Sequence, residues 1–170
     1  MLPAYIPNNI AVLTGGGKPV DFGKYFIDGK RILGDGKTFR GFFGGIAGGM
    51  SVGIIEYGIE ALAGLSYFSS LEFLRAIRLF IGLSAGALIG DMFGSFIKRR
   101  FGVERGSPFP VLDQLDFVFG AFLISYLFTK RTFLELFSIK IIITAVIITP
   151  VLHILVNFLA YKIGKKDVPW

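Results

Sequence analysis

The chain has 170 residues, of which 53% are hydrophobic, with a mean hydropathy of +0.66 and a formal net charge of +6. A soluble domain of this length is seldom so apolar, so the composition indicates an integral membrane protein. The sequence has no cysteine and one histidine, which excludes disulfides, thiolate metal sites and a site built from several histidines of one chain.

Five apolar segments are predicted to be helical, at residues 2–13, 41–67, 76–97, 115–136 and 137–161. A transmembrane helix needs about 20 mostly apolar residues, and the last four segments are that long. The first segment is too short to cross and contains Asn8 and Asn9, so it is predicted to be a partial span. The sequence therefore predicts an all-α integral membrane protein of about five transmembrane helices, forming a single domain over residues 1–170.

The distribution of basic residues predicts the orientation in the membrane. Thirteen of the 18 Lys and Arg residues lie in 14–40, 98–113 and the tail 162–170. Because cationic loops remain in the cytosol, these regions are predicted to be cytosolic, with the two loops covering a polar cavity of a multi-pass plasma-membrane protein. Membrane topology and anionic lipid account for the basic residues, so no nucleic-acid partner is predicted.

Glycines recur at every fourth position in two of the apolar segments. They are Gly41, Gly45, Gly49 and Gly53 in the second segment, and Gly82, Gly86, Gly90 and Gly94 in the third. Small residues at this spacing let helix backbones approach closely in a membrane. The pattern predicts tight packing between these helices and their neighbours.

Polar groups gather where the third segment ends and the fourth begins. Asp91, Ser95 and Lys98 are spaced to share one face of a helix, and Asp113 and Asp116 lie one turn apart at the start of the next helix. At about 1.5 Å per residue, Asp91 lies about 10 Å below the cytosolic end of its helix, so the three carboxylates can meet.

The acids at the start of the fourth segment have two interpretations. Asp113 and Asp116 are well placed to cap a helix and to interact with its dipole. With Asp91 nearby and Lys98, Arg99 and Arg105 facing the same water, they could instead hold Mg²⁺ against phosphate oxygens. The second interpretation makes Asp91, Asp113 and Asp116 candidate metal ligands.

The first basic loop is rich in glycine and contains the sequence GDGKT. A P-loop is rejected, because the position five residues before Gly36 is Arg31 rather than glycine and no strand–loop–helix pattern surrounds it. A phosphate-binding role for Lys37, Thr38 and Arg40 remains a hypothesis.

A cation transporter or channel is the alternative function, with Asp91, Glu56 and Glu60 lining one pathway. A transport path requires polar groups in both halves of the membrane, whereas an enzyme site gathers them at one surface. The distribution of acids and basic loops favours the enzyme, and Glu56 and Glu60 are expected to pair with Arg75 or Arg78 near the outer face.

The combined motifs resemble a known family. The order Asp91, Ser95, Lys98 and Arg99 followed by Asp113-x-x-Asp116 is similar to the signature of CTP-dependent phosphatidate cytidylyltransferases. The sequences GGGKPVD at 15–21 and LGDGKT at 33–38 resemble the archaeal branch, the CDP-archaeol synthases. The bacterial signature has His-Gly-Gly ahead of the paired acids where this chain has residues 110–112, Pro-Val-Leu, which favours the archaeal lipid as substrate.

This resemblance implies a reaction between CTP and an unsaturated archaetidic acid, a prenyl-ether glycerol phosphate lipid, giving CDP-archaeol and pyrophosphate. It implies Mg²⁺ as the cofactor and an active site that faces the cytosol. It leaves the oligomeric state open. The implied catalytic residues are Asp91, Ser95, Lys98, Asp113 and Asp116, with the three aspartates as metal ligands. The implied nucleotide- or phosphate-binding residues are Lys37, Thr38, Arg40, Lys98, Arg99 and Arg105.

Overall fold

The architecture is that of a helical membrane protein, seen in a computed structural model that describes residues 1–103, 107 and 109–162. Within these residues the helices are α1 (Leu2–Tyr5), α2 (Pro7–Thr14), α3 (Phe39–Leu62), α4 (Phe73–Arg100), α5 (Leu112–Leu136) and α6 (Ile139–Lys162). Four of them are long and apolar enough to cross a membrane: α3, α4, α5 and, over Ile139–Val156, α6. The predicted all-α membrane fold is confirmed.

The N-terminal segment forms two short helices, α1 with four residues and α2 with eight. Pro7 begins α2 and has no N–H to donate, and both Pro3 and Pro7 are fully buried. A Cβ atom on Gly45 would lie 2.8 Å from the Pro7 carbonyl oxygen, and one on Gly49 would lie 2.9 Å from that of Pro3. The glycine stripe of α3 is therefore the groove that receives α1 and α2.

The second glycine stripe brings α4 against α5. A Cβ atom on Gly90 would lie 2.2 Å from the Asp116 carbonyl oxygen, and one on Gly120 would lie 2.3 Å from that of Gly86. These separations leave no room for a methyl group, so the prediction of tight packing is confirmed for both stripes. The α4–α5 pair forms most of the core, and Asp116 stands at this contact.

The two glutamates of α3 are bound at the end of the helix away from the loop between α2 and α3. The Glu60 carboxylate accepts hydrogen bonds from the N–H groups of Phe68 (2.7 Å) and Ser69 (3.1 Å). A Glu56 oxygen lies 3.9 Å from the amino group of Met1. Both acids thus fasten chain segments at that end of the bundle.

The expected pairing of Glu56 and Glu60 with Arg75 or Arg78 is wrong. Arg75 instead crosses to α5 and forms an ion pair with Glu135 at 2.5 Å. The physical reason is that the turn after α3 folds its amide groups back onto Glu60, which leaves Arg75 closer to α5 than to α3.

Candidate active site

The loop between α2 and α3 is organised around a buried aspartate, Asp21. Its carboxylate accepts hydrogen bonds from the N–H groups of Gly23 (3.0 Å), Leu33 (3.0 Å) and Gly34 (2.9 Å), and pairs with Arg31 at 3.0 Å. Burial alone would raise the pKa of Asp21, but the hydrogen bonds from Gly34, Arg31 and the other amides outweigh it and hold the pKa well below its usual range. The loop therefore has a fixed shape.

Arg100, at the end of α4, fastens this loop to the helix bundle. It donates to Asp28 Oδ1 at 2.5 Å and to the Arg31 carbonyl oxygen. Its guanidinium also lies 4.9 Å from the ring centroids of both Phe26 and Phe96. This role of Arg100 was not predictable from the sequence, because membrane topology already accounts for the basic run and the contacts of each member depend on how the loop folds.

The fixed loop brings Lys37 onto Asp91. The Lys37 Nζ forms an ion pair with Asp91 Oδ2, and each side chain is about a quarter exposed, at 27% and 28%. The next residue, Thr38, is the N-cap of α3, where its hydroxyl oxygen accepts the Gly41 N–H at 3.1 Å. The cap fixes the start of α3 and so the position from which Lys37 reaches Asp91.

A second lysine–carboxylate pair joins α4 to α5. The Lys98 Nζ donates to Asp113 Oδ1 at 2.9 Å and Oδ2 at 3.1 Å, and to the Ser107 carbonyl oxygen at 2.9 Å. Asp113 Oδ2 also accepts the Phe109 N–H at 2.9 Å. The N-cap of α5 is Val111, which has no side-chain capping bond, so Asp113 binds the preceding loop rather than capping the helix.

The Asp116 carboxylate lies where α5 touches α4, directly against Gly94. A Cβ atom on Gly94 would lie 2.0 Å from Asp116 Oδ2, so the glycine makes the space that the carboxylate occupies. Asp116 also lies within electrostatic range of Asp91 and Asp113. The structure thus brings the three predicted aspartates to one region, at the loop end of α4 and α5.

The donor set suits Mg²⁺, which prefers carboxylate oxygens. In this arrangement two of the three carboxylates are neutralised by lysines, Asp91 by Lys37 and Asp113 by Lys98. No group of three acidic or histidine side chains stands at metal-binding spacing among the described residues. The residue types present thus suit the cation, whereas their present spacing does not form a metal site, and lysines are the partners of Asp91 and Asp113.

Within the described part of the chain, the other residues predicted to bind phosphate or to take part in catalysis have no contact with the aspartates that defines a role. Ser95 is half-buried one helical turn beyond Asp91, and Arg40 is exposed in the first turn of α3. The Nε of Arg99 is buried without a hydrogen-bond partner among the described residues. Arg105 lies outside the residues that the structure describes.

A pocket opens beside the Lys37–Asp91 pair, between α2, α3, α4 and the loop. Its lining includes Asn8, Val12, Lys37, Leu88 and Asp91. The position of Asn8 in this pocket was not predicted from the sequence. The signal was present as a polar amide in a short apolar helix, but the sequence alone did not place that helix next to Asp91.

Comparisons with known proteins point to one family. A family model described as CarS-like CDP-archaeol synthase matches residues 1–170. The chain is 56% identical to a CDP-archaeol synthase of Archaeoglobus fulgidus, covering all of this chain and 94% of that protein. It is 48% identical to the CDP-archaeol synthase of Methanospirillum hungatei JF-1, with all of both chains covered.

A solved structure shows the same fold. It is described as an intramembrane enzyme for archaeal membrane lipids biosynthesis, and it matches with a TM-score of 0.73 and 37% sequence identity. The match covers 92% of this chain and 89% of the other. Identity at this level over nearly the full length extends the likeness from the fold to the family.

Proposed function

The chain belongs to the CDP-archaeol synthase family, and on that basis we propose that it transfers the cytidylyl group of CTP to an unsaturated archaetidic acid. The acceptor would be 2,3-bis-geranylgeranyl glycerol 1-phosphate, and the products CDP-archaeol and pyrophosphate. The observation that carries the proposal is the meeting of Asp91, Asp113 and Asp116 with Lys37 and Lys98 at one end of α4 and α5.

The proposed chemistry needs no protein nucleophile. An oxygen of the lipid phosphate attacks the α-phosphorus of CTP, a new P–O bond forms, and the bond between the α-phosphorus and its bridging oxygen to the β-phosphate breaks. Pyrophosphate leaves with that oxygen and its electron pair. Because the attacking group is already anionic, the protein contributes positioning and charge neutralisation.

The three aspartates are the proposed ligands of Mg²⁺. Bound there, the cation would neutralise charge on the triphosphate and the leaving pyrophosphate. Lys37 and Lys98 now neutralise Asp91 and Asp113. In the proposal the two ammonium groups exchange these carboxylates for phosphate oxygens when the nucleotide binds, because each lysine has a flexible stem and three donors.

Other residues supply further contacts to phosphate in this proposal. The Nε–H of Arg99 is a buried donor without a partner in the described part of the chain, and an anionic group would satisfy it. Thr38 caps the start of α3 and so helps to position the neighbouring Lys37. Ser95 lies one turn from Asp91 and could donate a hydrogen bond to a phosphate oxygen. Arg40 and Arg105 remain candidates for the outer phosphates.

The transporter alternative receives no support from this geometry. Glu60 is bound by two backbone amides and Glu56 lies beside the amino group of Met1, at the end of α3 away from Asp91. Asp91, Asp113 and Asp116 instead lie together at the loop end of the bundle. This distribution is that expected of an enzyme acting at one membrane surface.

The purified protein in detergent should form a CDP-lipid from CTP, Mg²⁺ and the unsaturated prenyl-ether phosphate. We expect CTP and dCTP to serve as donors, ATP, GTP and UTP to serve poorly, and the prenyl-ether lipid to outcompete phosphatidate. Radiolabelled nucleotide and thin-layer separation of the lipid product provide the measurement. Equal rates with phosphatidate would contradict the archaeal acceptor and leave cytidylyl transfer intact, whereas no product with any pair would reject the proposed function.

The proposed orientation places the loop between α2 and α3 in the cytosol and the turn between α3 and α4 outside the plasma membrane. The protein has no native cysteine, so single cysteines report cleanly on topology. Lys24 and Ser66 are exposed in the two connections. In intact cells an impermeant thiol reagent should label Ser66→Cys and leave Lys24→Cys unlabelled until the cells are opened. The reverse pattern would place the carboxylates at the outer surface.

A further inference from the structure

The pocket contains a polar group that the arrangement of carboxylates and lysines does not use. The Oδ1 atom of Asn8 is buried and has no hydrogen-bond partner within the described residues. Asn8 belongs to α2, which packs between apolar and glycine surfaces of α3 and α4. A buried amide group left unpaired costs free energy. In an apolar segment it therefore indicates a hydrogen-bond partner supplied by a bound ligand.

Asn8 lines the same pocket as the ion pair of Lys37 and Asp91. The pocket begins at the loop, where Lys37 is anchored, and extends to Asn8. Because Asn8 precedes Thr14 at the loop end of α2 by six residues, it lies about 9 Å further along the helix from the loop. Apolar residues such as Leu88 and Met92 of α4 also line the pocket, so charged and apolar groups share its wall.

We infer that Asn8 binds the glycerol phosphate head group of the lipid substrate and so helps to select it, an inference that rests on the proposed function. A triphosphate is best placed toward the loop, where Lys37 lies and water is near. In this arrangement the lipid phosphate lies between Asn8 and Asp91, and the prenyl chains lie against apolar residues of the lining such as Leu88. A turn of about 180° in the terminal amide exchanges its oxygen and nitrogen, and with the NH₂ group at the unpaired position Asn8 donates to a phosphate or ether oxygen of the lipid.

The test compares Asn8→Leu with Asn9→Leu in the purified full-length protein. Leucine is similar in size to asparagine and has no hydrogen-bonding group, and the neighbouring Asn9 is exposed, which makes it a matched control. We expect Asn8→Leu to raise the KM for the prenyl-ether phosphate about 10-fold or more, as for a lost hydrogen bond to a charged group, with the KM for CTP unchanged. The Asn9→Leu protein should keep both KM values.

A thermal midpoint in detergent separates binding from folding. A purely structural Asn8 would change this midpoint and leave both KM values as in the unmodified protein, and that result would overturn the inference. A rise in the KM for CTP alone would also overturn it. If Asn8→Leu does not fold, Asn8→Ala is judged by the same two KM values, and absence of product from the unmodified protein would reject the proposed function rather than this role of Asn8.

Discussion

Replacing any one of the three aspartates by asparagine should lower the turnover number for CDP-lipid formation by about 100-fold or more, the size of effect seen when one stabilising group is removed from a transition state. Asp91→Asn, Asp113→Asn and Asp116→Asn each retain the shape of the side chain and remove its charge. The expected loss follows from the proposed shared role in holding Mg²⁺, which is supported by the position of Asp116 within electrostatic range of both Asp91 and Asp113. Turnover with saturating CTP, lipid and Mg²⁺ is the measurement.

A control at the opposite end of α5 makes this test specific. Glu135→Gln removes an acid that pairs with Arg75 away from the proposed site, and it should retain near-normal turnover. Thermal midpoints of all four variants in detergent show whether each protein is folded. The metal assignment also predicts that each aspartate variant needs a higher Mg²⁺ concentration for half-maximal turnover than the unmodified protein does.

Asp113 is the aspartate for which a purely structural role is the clearest alternative to metal binding. Its carboxylate binds Lys98 and the Phe109 N–H, so a fastening role alone would lower the thermal midpoint and leave turnover intact. That outcome for Asp113→Asn would remove it from the proposed metal ligands. The same outcome for Asp91→Asn and Asp116→Asn would contradict the proposed site as a whole.

The helices were predictable because hydropathy and length decide where a chain crosses a membrane. The third segment, expected over 76–97, is α4 over Phe73–Arg100, and the fifth, expected over 137–161, is α6 over Ile139–Lys162. The three extra residues of α4 at the loop side, Lys98, Arg99 and Arg100, are basic, so hydropathy does not detect them. Residues 98–100 consequently lie on a helix rather than in the predicted loop.

The tertiary contacts of the loops were not predictable from spacing. Asp21 binds amide groups 12 and 13 residues later in the chain, and Arg100 binds carbonyl and carboxylate oxygens about 70 residues earlier. These partners depend on how the loop folds over the end of α4. The proximity of Asp116 to Asp91 and to Asp113 was predictable, because depth along adjoining helices follows from residue number.

The glycine pattern was read correctly as packing, but the sequence did not show which glycine faces the site. Gly94 makes the space for the Asp116 carboxylate, and Gly90 lies against the Asp116 backbone. Gly58 in α3 belongs to neither contact, since a Cβ atom there would meet nothing within 4 Å. The same residue type therefore has different consequences at positions that look alike in the sequence.

Gly90→Ala should strongly destabilise the protein and abolish most of its activity. The new Cβ atom would lie 2.2 Å from the Asp116 carbonyl oxygen, and because that atom is backbone, α5 itself must move away. We expect a loss of about 3 kcal/mol or more in the free energy of unfolding, at the upper end of the cost of overpacking a core. The movement also displaces Asp116 from Asp91, so the folded fraction should have low turnover.

Gly58→Ala is the matched control, because it makes the same chemical change in a transmembrane helix with open space around it. Alanine has the higher helix propensity, so this variant should be as stable as the unmodified protein or more stable by up to about 1 kcal/mol. Thermal midpoints in detergent and the rate of CDP-lipid formation are measured for both variants. Equal midpoints would show that α4 and α5 do not approach as closely as described, whereas a lower midpoint with normal turnover for Gly90→Ala would separate the helix contact from the position of Asp116.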